Sequence, residues 1–195
     1  IMDMGALSGN GELEFVRTTP GAYLGSCRYK LPEDLSDPVY PLLFQKMEKK
    51  NIGYFFYIGG NDSMDTVSKL SRYAAGIDSD IRFIGIPKTI DNDLALTDHC
   101  PGYGSAARFI ANNTRDLWME VRAMPMYVTI METMGRNAGW LTAAGSIPDY
   151  DGKPCAQLVY LPEYAFDENA FLADVDNLLH KQREILIVVS EGLAD

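Results

Sequence analysis

What this sequence lacks narrows its function before any motif is read. It has no basic excess: 17 Lys and Arg stand against 27 Asp and Glu, a formal net charge of −10. No positive field therefore exists to draw in a nucleic-acid backbone or an anionic membrane, and phosphate would have to be met by a few placed cations. Cysteines are scarce. Cys27, Cys100 and Cys155 are odd in number and without CxxC spacing, which argues against a disulfide framework or a zinc site and for ordinary reduced thiols. The longest apolar run, "EILIVV" at 184–189, is far below the ~20 residues of a membrane span. The opening "IMDMGALSGNGELEF" lacks the basic and apolar regions of a secretory signal. These absences predict a cytoplasmic protein with no nucleic-acid or membrane partner. The chain also opens on Ile1 without an initiator methionine, the expectation for a fragment or a processed product.

What is present is a globular pattern. Of 195 residues, 47% are hydrophobic and 23% charged, a balance that can bury one large core or two small ones. "IGYFFYIGG" (52–60) is a continuous aromatic and β-branched run that stops at two glycines, the signature of a buried parallel strand. It leads into "DSMDTVSKLSRYAAG", a helix with Asp62 or Ser63 as N-cap, apolar Met64, Val67, Leu70 and Ala74, and Gly76 as its stop. The unit repeats as "IRFIGI", a long loop and "SAARFIANNTRDLWMEVRA", and again as "MYVTIMET", "MGRNAG" and "WLTAAGS". "QLVYLP" predicts a strand, "ENAFLADVDNLLHKQR" a helix and "EILIVVSEG" a last strand. Before residue 50, 18–41 reads as a loop carrying Arg28 and Lys30, and "YPLLFQKMEKKN" as a helix. Alternating strands and helices define the α/β class, a parallel sheet covered on both faces. In such sheets ligands lie beyond the carboxyl ends of the strands.

That rule gathers the post-strand segments "GGNDS" (59–63), "PKTIDND" (87–93), "METMGR" (131–136) and "SEG" (190–192) around one crevice. A glycine pair between strand and helix lets phosphate approach backbone N–H groups at the positive end of a helix dipole, although many such turns are purely structural. It is neither GxGxxG nor a Walker A loop. Asp62, Asp91 and Asp93 add hard oxygens suited to magnesium, which takes a carboxylate or two together with substrate phosphates. In phosphoryl transfer to an alcohol, one carboxylate accepts the hydroxyl proton while cations offset the phosphoryl charge. Asp91 or Asp93 could be that base, and Lys88, Arg28 and Arg136 those cations. The competing reading of "TIDND" is an Asx-rich turn whose side chains cap the backbone. Locally, Arg28 and Lys30 read as solvated charges, Met124, Met126, Met131 and Met134 as core filler, with Met134 at a loop mouth, and Trp118 and Trp140 as residues packing helices on the sheet.

As a set, these motifs resemble the phosphofructokinase family. "PKTIDND" is similar to its P-(G/K)-TIDND loop, "GGNDS" to its GGD-(G/D)-S loop, "METMGR" to its E-x-MGR loop, "VVSEG" to its later sugar-binding strand end, and "TPGAYLGSCR" to its GG-x-x-LGS-x-R segment; the match runs over roughly 18–193. The resemblance implies a Rossmann-like three-layer fold, truncated at both ends, with a donor-binding lobe mainly in 1–130 and the start of a sugar-phosphate-binding lobe in 131–195. It implies that Asp91 is the base for the 1-hydroxyl of fructose 6-phosphate, with Asp93 and Lys88 assisting. Gly60, Asn61, Asp62, Ser63 and Arg28 would bind the donor, Thr89, Met134, Gly135, Arg136 and Glu191 the sugar phosphate, and Asp62, Asn61 and Asp93 a magnesium ion. It further implies a homo-oligomer, dimer or tetramer. ATP-dependent members usually have glycine at the positions of Asp62 and Lys88, whereas pyrophosphate-dependent members have Asp and Lys. An acidic side chain where the α-phosphate of ATP would lie repels it, and a lysine offsets the charge of a bare diphosphate. Pyrophosphate is therefore the expected donor, with ATP the runner-up and a non-catalytic subunit the reading from another class. Two positions depart from the family pattern: Asn61 stands where an aspartate is usual, and Tyr127 where many members place an arginine.

Overall fold

The structure, a computed structural model, describes residues 11–193 apart from 24, 27 and 28. Two helices open the described chain, α1 (Glu12–Thr18) and α2 (Val39–Lys49). Then come β1 (Tyr54–Gly59), α3 (Asn61–Gly76), β2 (Arg82–Pro87), α4 (Tyr103–Ala123), β3 (Val128–Thr133) and the short α5 (Trp140–Ala144). A two-residue hairpin, β4 (Asp149–Tyr150) with β5 (Lys153–Pro154), precedes β6 (Leu158–Tyr160), α6 (Glu168–Leu179) and β7 (Ile185–Ser190). Every strand–helix unit anticipated from the apolar runs is present. The α/β class with parallel pairing therefore holds.

The sheet differs from expectation in two respects, its continuity and its cover. Among the described residues the parallel strands form two groups, β1–β2 and β3–β7–β6, rather than one continuous sheet. β7 sits between two neighbours, and Ile185, Leu186, Ile187 and Val188 are wholly buried. β1 and β2 are covered on one face only. Phe55 and Phe83 turn toward α2 and α3 and stack around Phe44 and Tyr73, and Gly85 leaves room for the Met64 thioether. The opposite face, with Tyr54, Phe56 and Ile58 beside Ile84 and Ile86, is exposed. Side chains alternate across a strand with period 2, so this open face is as apolar as the buried one. Val128 and Ile130 of β3 are likewise exposed.

Several local expectations are corrected. α3 begins at Asn61 with Gly60 as N-cap and no side-chain cap, because Asp62 and Ser63 already lie in its first turn. Trp140 and Met124 are exposed, whereas Trp118 is half-buried. The β4–β5 hairpin turns through Asp151 and Gly152, both with positive φ, the backbone that an Asp-Gly pair supports most readily. No described helix is long and apolar enough to cross a membrane.

Candidate active site

The carboxyl ends of β1 and β2 open into a cleft of ≈ 610 Å³ lined by Tyr29, Lys30, Tyr57, Gly60, Asn61, Asp62, Ser63, Thr66, Thr89, Asp91 and Asp93. Its floor is set by two glycines. Gly59 packs so closely on the Ser63 side chain that a Cβ there would collide with it, and Gly60 gives its carbonyl to the N–H groups of Ser63 and Met64. The first turn of α3, the positive end of its dipole, is thereby held against the cleft. Lys88 N–H donates to the Gly59 carbonyl (2.8 Å), tying the start of the loop after β2 to the end of β1.

Within "TIDND" the capping reading and the catalytic reading are both satisfied, by different residues. Asn92 is the turn-former: it has φ 57°, is 6% exposed, donates Nδ2 to the Asp98 carbonyl (3.2 Å) and accepts from Cys100 N–H at 2.8 Å. Asparagine is among the few side chains that tolerate the left-handed region. Thr89 Oγ1 accepts from Asp91 N–H (3.2 Å), and Thr89 N–H donates to the Pro101 carbonyl. With the backbone turned by these two, Asp91 and Asp93 are left to face the cleft. Asp93 Oδ2 accepts from Asn61 Nδ2 at 2.8 Å. Asp91 has no such relief, since its Oδ1 is buried without a hydrogen-bond partner among the described residues. Burial, then the charges of Asp93 and Glu191, push its pKa up, and Lys88 opposes them. A buried polar atom without a partner is costly.

A second group of expected residues follows β3 and β7. Gly135, at φ +116°, donates its N–H to Glu191 Oε1 (3.0 Å), and its carbonyl accepts from Ser190 Oγ (2.8 Å). Glu191 N–H donates to the Thr133 carbonyl, and a Cβ on Gly192 would collide with the Arg136 carbonyl. Met134 is exposed at the loop mouth. Met134, Gly135, Arg136 and Glu191 thus form one stitched corner. They do not line the 610 Å³ cleft, although the charge of Glu191 is felt at Asp91. Lys88 also lies outside the lining. Arg28 lies outside the described residues, and Tyr127 is exposed. Tyr29, Lys30, Tyr57 and Thr66 line the cleft without a local motif to mark them.

A parallel α/β crevice with paired carboxylates beside a helix N-terminus, at the carboxyl ends of the strands, is where α/β proteins place a ligand site. Comparison with known proteins sharpens this: residues 4–195 match the Phosphofructokinase family model, and the chain belongs to that family. It is 44% identical over 181 residues to a pyrophosphate–fructose 6-phosphate 1-phosphotransferase of Xanthomonas campestris, covering 91% of this chain and 43% of that one. A protein of the same name from Rhodospirillum rubrum is 44% identical, covering 94% and 44%. Among solved structures, a pyrophosphate-dependent phosphofructokinase from Marinobacter aquaeolei superposes with a TM-score of 0.83 at 39% identity, covering 96% of this chain and 47% of that one. The chain thus spans less than half the length of each of these three proteins.

Proposed function

We propose that this chain carries the donor-binding lobe (mainly 1–130) and the start of the sugar-phosphate lobe (131–195) of a cytoplasmic homo-oligomeric enzyme. It would reversibly transfer a phosphoryl group from pyrophosphate to the 1-hydroxyl of fructose 6-phosphate, giving fructose 1,6-bisphosphate and orthophosphate. The observation that carries the reading is Asp91, a carboxylate with an unpartnered buried oxygen and a raised pKa on the wall of the cleft at the carboxyl ends of β1 and β2. As the sugar oxygen bonds to the terminal phosphorus and the P–O bond to the departing orthophosphate breaks, Asp91 takes the hydroxyl proton. Thr89, Met134, Gly135, Arg136 and Glu191 hold the sugar phosphate, while Gly60, Asn61, Asp62, Ser63 and Arg28 hold the diphosphate.

The donor set fits magnesium. Among the described residues no three His, Cys, Asp or Glu form a ready-made metal cage, and magnesium usually takes only one or two carboxylates, with phosphate oxygens completing its shell. Asp62 and Asp93, with Asn61 bonded to Asp93, would hold it, and it would supply charge compensation on the phosphoryl oxygens. Asn61 in place of an acid leaves Asp62 as the carboxylate of that turn. Asp62 on the cleft wall also disfavours the α-phosphate of ATP, which supports the shorter donor, as do the names of the two curated relatives. Initial rates with magnesium pyrophosphate and with magnesium ATP test the reading. Turnover with pyrophosphate alone is expected. Turnover with ATP alone would replace the donor, and turnover with neither would favour a non-catalytic subunit.

A further inference from the structure

The cleft wall presents an electrostatic imbalance. Three of its side chains, Asp62, Asp91 and Asp93, are acidic, and among the described lining residues the one cation is Lys30. Magnesium on Asp62 and Asp93 would offset part of that charge, and a protein cation on the same wall would add to that offset for an incoming diphosphate. Lys88, the cation that the motif emphasises, is not part of that lining.

Lys30 is delivered by an unusual support. The residue after it, Leu31, is buried in a cluster with Tyr40, Phe44 and Leu70, and the Tyr40 hydroxyl donates to the Pro32 carbonyl at 2.6 Å. Beneath them lies Lys69 of α3, 1% exposed, whose Nζ donates to the Leu31 carbonyl (3.2 Å) and pairs with Glu33 (2.7 Å) and Asp65 (2.6 Å). Burying an ammonium is expensive and does not in general repay itself in stability. What this one accomplishes is to fasten segment 31–33 to the helix whose first turn borders the cleft, which sets the direction from which Tyr29 and Lys30 approach.

We propose that Lys30 is a donor-binding cation of the cleft and that buried Lys69 is the residue that positions it. The proposal rests on the reading of the cleft as a diphosphate site, and the test separates the two. Magnesium pyrophosphate is titrated calorimetrically into the full chain and into Lys30→Gln, Lys30→Arg, Lys69→Met and Glu33→Gln. Lys30→Gln is expected to raise Kd about tenfold, the effect of one charge-assisted contact, without changing the melting temperature, because its side chain is exposed. The wild-type affinity should fall more steeply with added salt than that of Lys30→Gln, and Lys30→Arg should recover most of the loss. Lys69→Met should weaken binding by a similar factor and add nothing on top of Lys30→Gln, a coupling that a purely structural lysine would not show. If Lys69→Met does not fold, Glu33→Gln carries that arm, with a smaller rise that also vanishes in the Lys30→Gln background. Wild-type binding with an unchanged Kd in Lys30→Gln overturns the inference and leaves the cleft reading standing. Absence of binding by the wild type overturns both.

Discussion

The loop that leaves β2 and the loop that leaves β3 both start at the carboxyl end of a parallel strand, yet they are held by different means. After β2, side chains do the holding: Asn92 and Thr89 bond the backbone, and the price is an acidic neighbour with a buried oxygen that nothing satisfies. After β3, glycines do it. Gly135 and Gly192 bring two backbones together closely enough that Gly135 N–H reaches Glu191 and its carbonyl reaches Ser190, and no described side-chain oxygen there is left buried and unpaired. One loop stores electrostatic cost at the carboxylate proposed as the base; the other is a satisfied corner suited to holding a ligand still. Sites that break a local rule are where chemistry is expected.

Asp91→Asn should split activity from stability most sharply. If Asp91 is the base, turnover falls on the order of 10² or more with sugar binding spared. Stability should move the other way. A folded-state pKa raised above the unfolded one means that Asp91 favours the fold below its unfolded pKa and that this contribution is lost as pH rises through the folded value. Once ionised, the group is therefore a burden, and the amide removes both its burial cost and its repulsion with Asp93 and Glu191. Circular-dichroism melts at pH 7 should show a higher midpoint for the variant. A lower midpoint together with unchanged turnover would remove Asp91 from its role.

Gly192→Ala attacks the other loop, with the reverse outcome. The added methyl meets the Arg136 carbonyl, which is backbone and cannot swing aside. Overpacking of this kind costs about 1–3 kcal/mol, so the melting midpoint should drop, and the displaced Arg136 should raise KM for the sugar phosphate with pyrophosphate affinity unchanged. Gly53→Ala, where a Cβ meets open space, serves as the control. Equal melting midpoints for the two variants would mean that the corner is not rigid.

This contrast also marks what the sequence could reveal. The order of strands and helices was legible because buried parallel strands are continuous apolar runs ended by glycine, and "IGYFFYIGG" and "EILIVV" carry that pattern whatever their partners. The placement of Asn61, Asp62, Thr89, Asp91 and Asp93 at one cleft was legible for the same topological reason, whereas the segments after β3 and β7, expected at the same crevice, form a separate corner that does not line it. Within "TIDND" the division of labour was not, because Asn92 and its two aspartate neighbours look alike until the backbone turns left-handed at one of them. Nothing in the sequence marks Lys69 as buried, since its partner Glu33 lies 36 positions away. The open face of β1–β2 was illegible too, because an exposed strand face as apolar as Tyr54, Phe56 and Ile58 has the composition of a covered one. Helix α1 had no apolar stripe to announce it.

The smallest effect tests whether the two loops communicate. Glu191 is bonded to the glycine corner, but its charge helps raise the pKa of Asp91, behind burial and Asp93 in importance. Glu191→Gln keeps an oxygen to accept from Gly135 N–H and removes only the charge. Less negative potential at Asp91 favours its ionised form, so the acid limb of the kcat/KM profile should move to lower pH, by less than the same measurement gives for Asp93→Asn. The plateau at higher pH reports the separate loss of a sugar contact, which lowers its height without moving the limb. A limb that stays fixed in Glu191→Gln while moving in Asp93→Asn would show that the satisfied corner only holds ligand and does not tune the base.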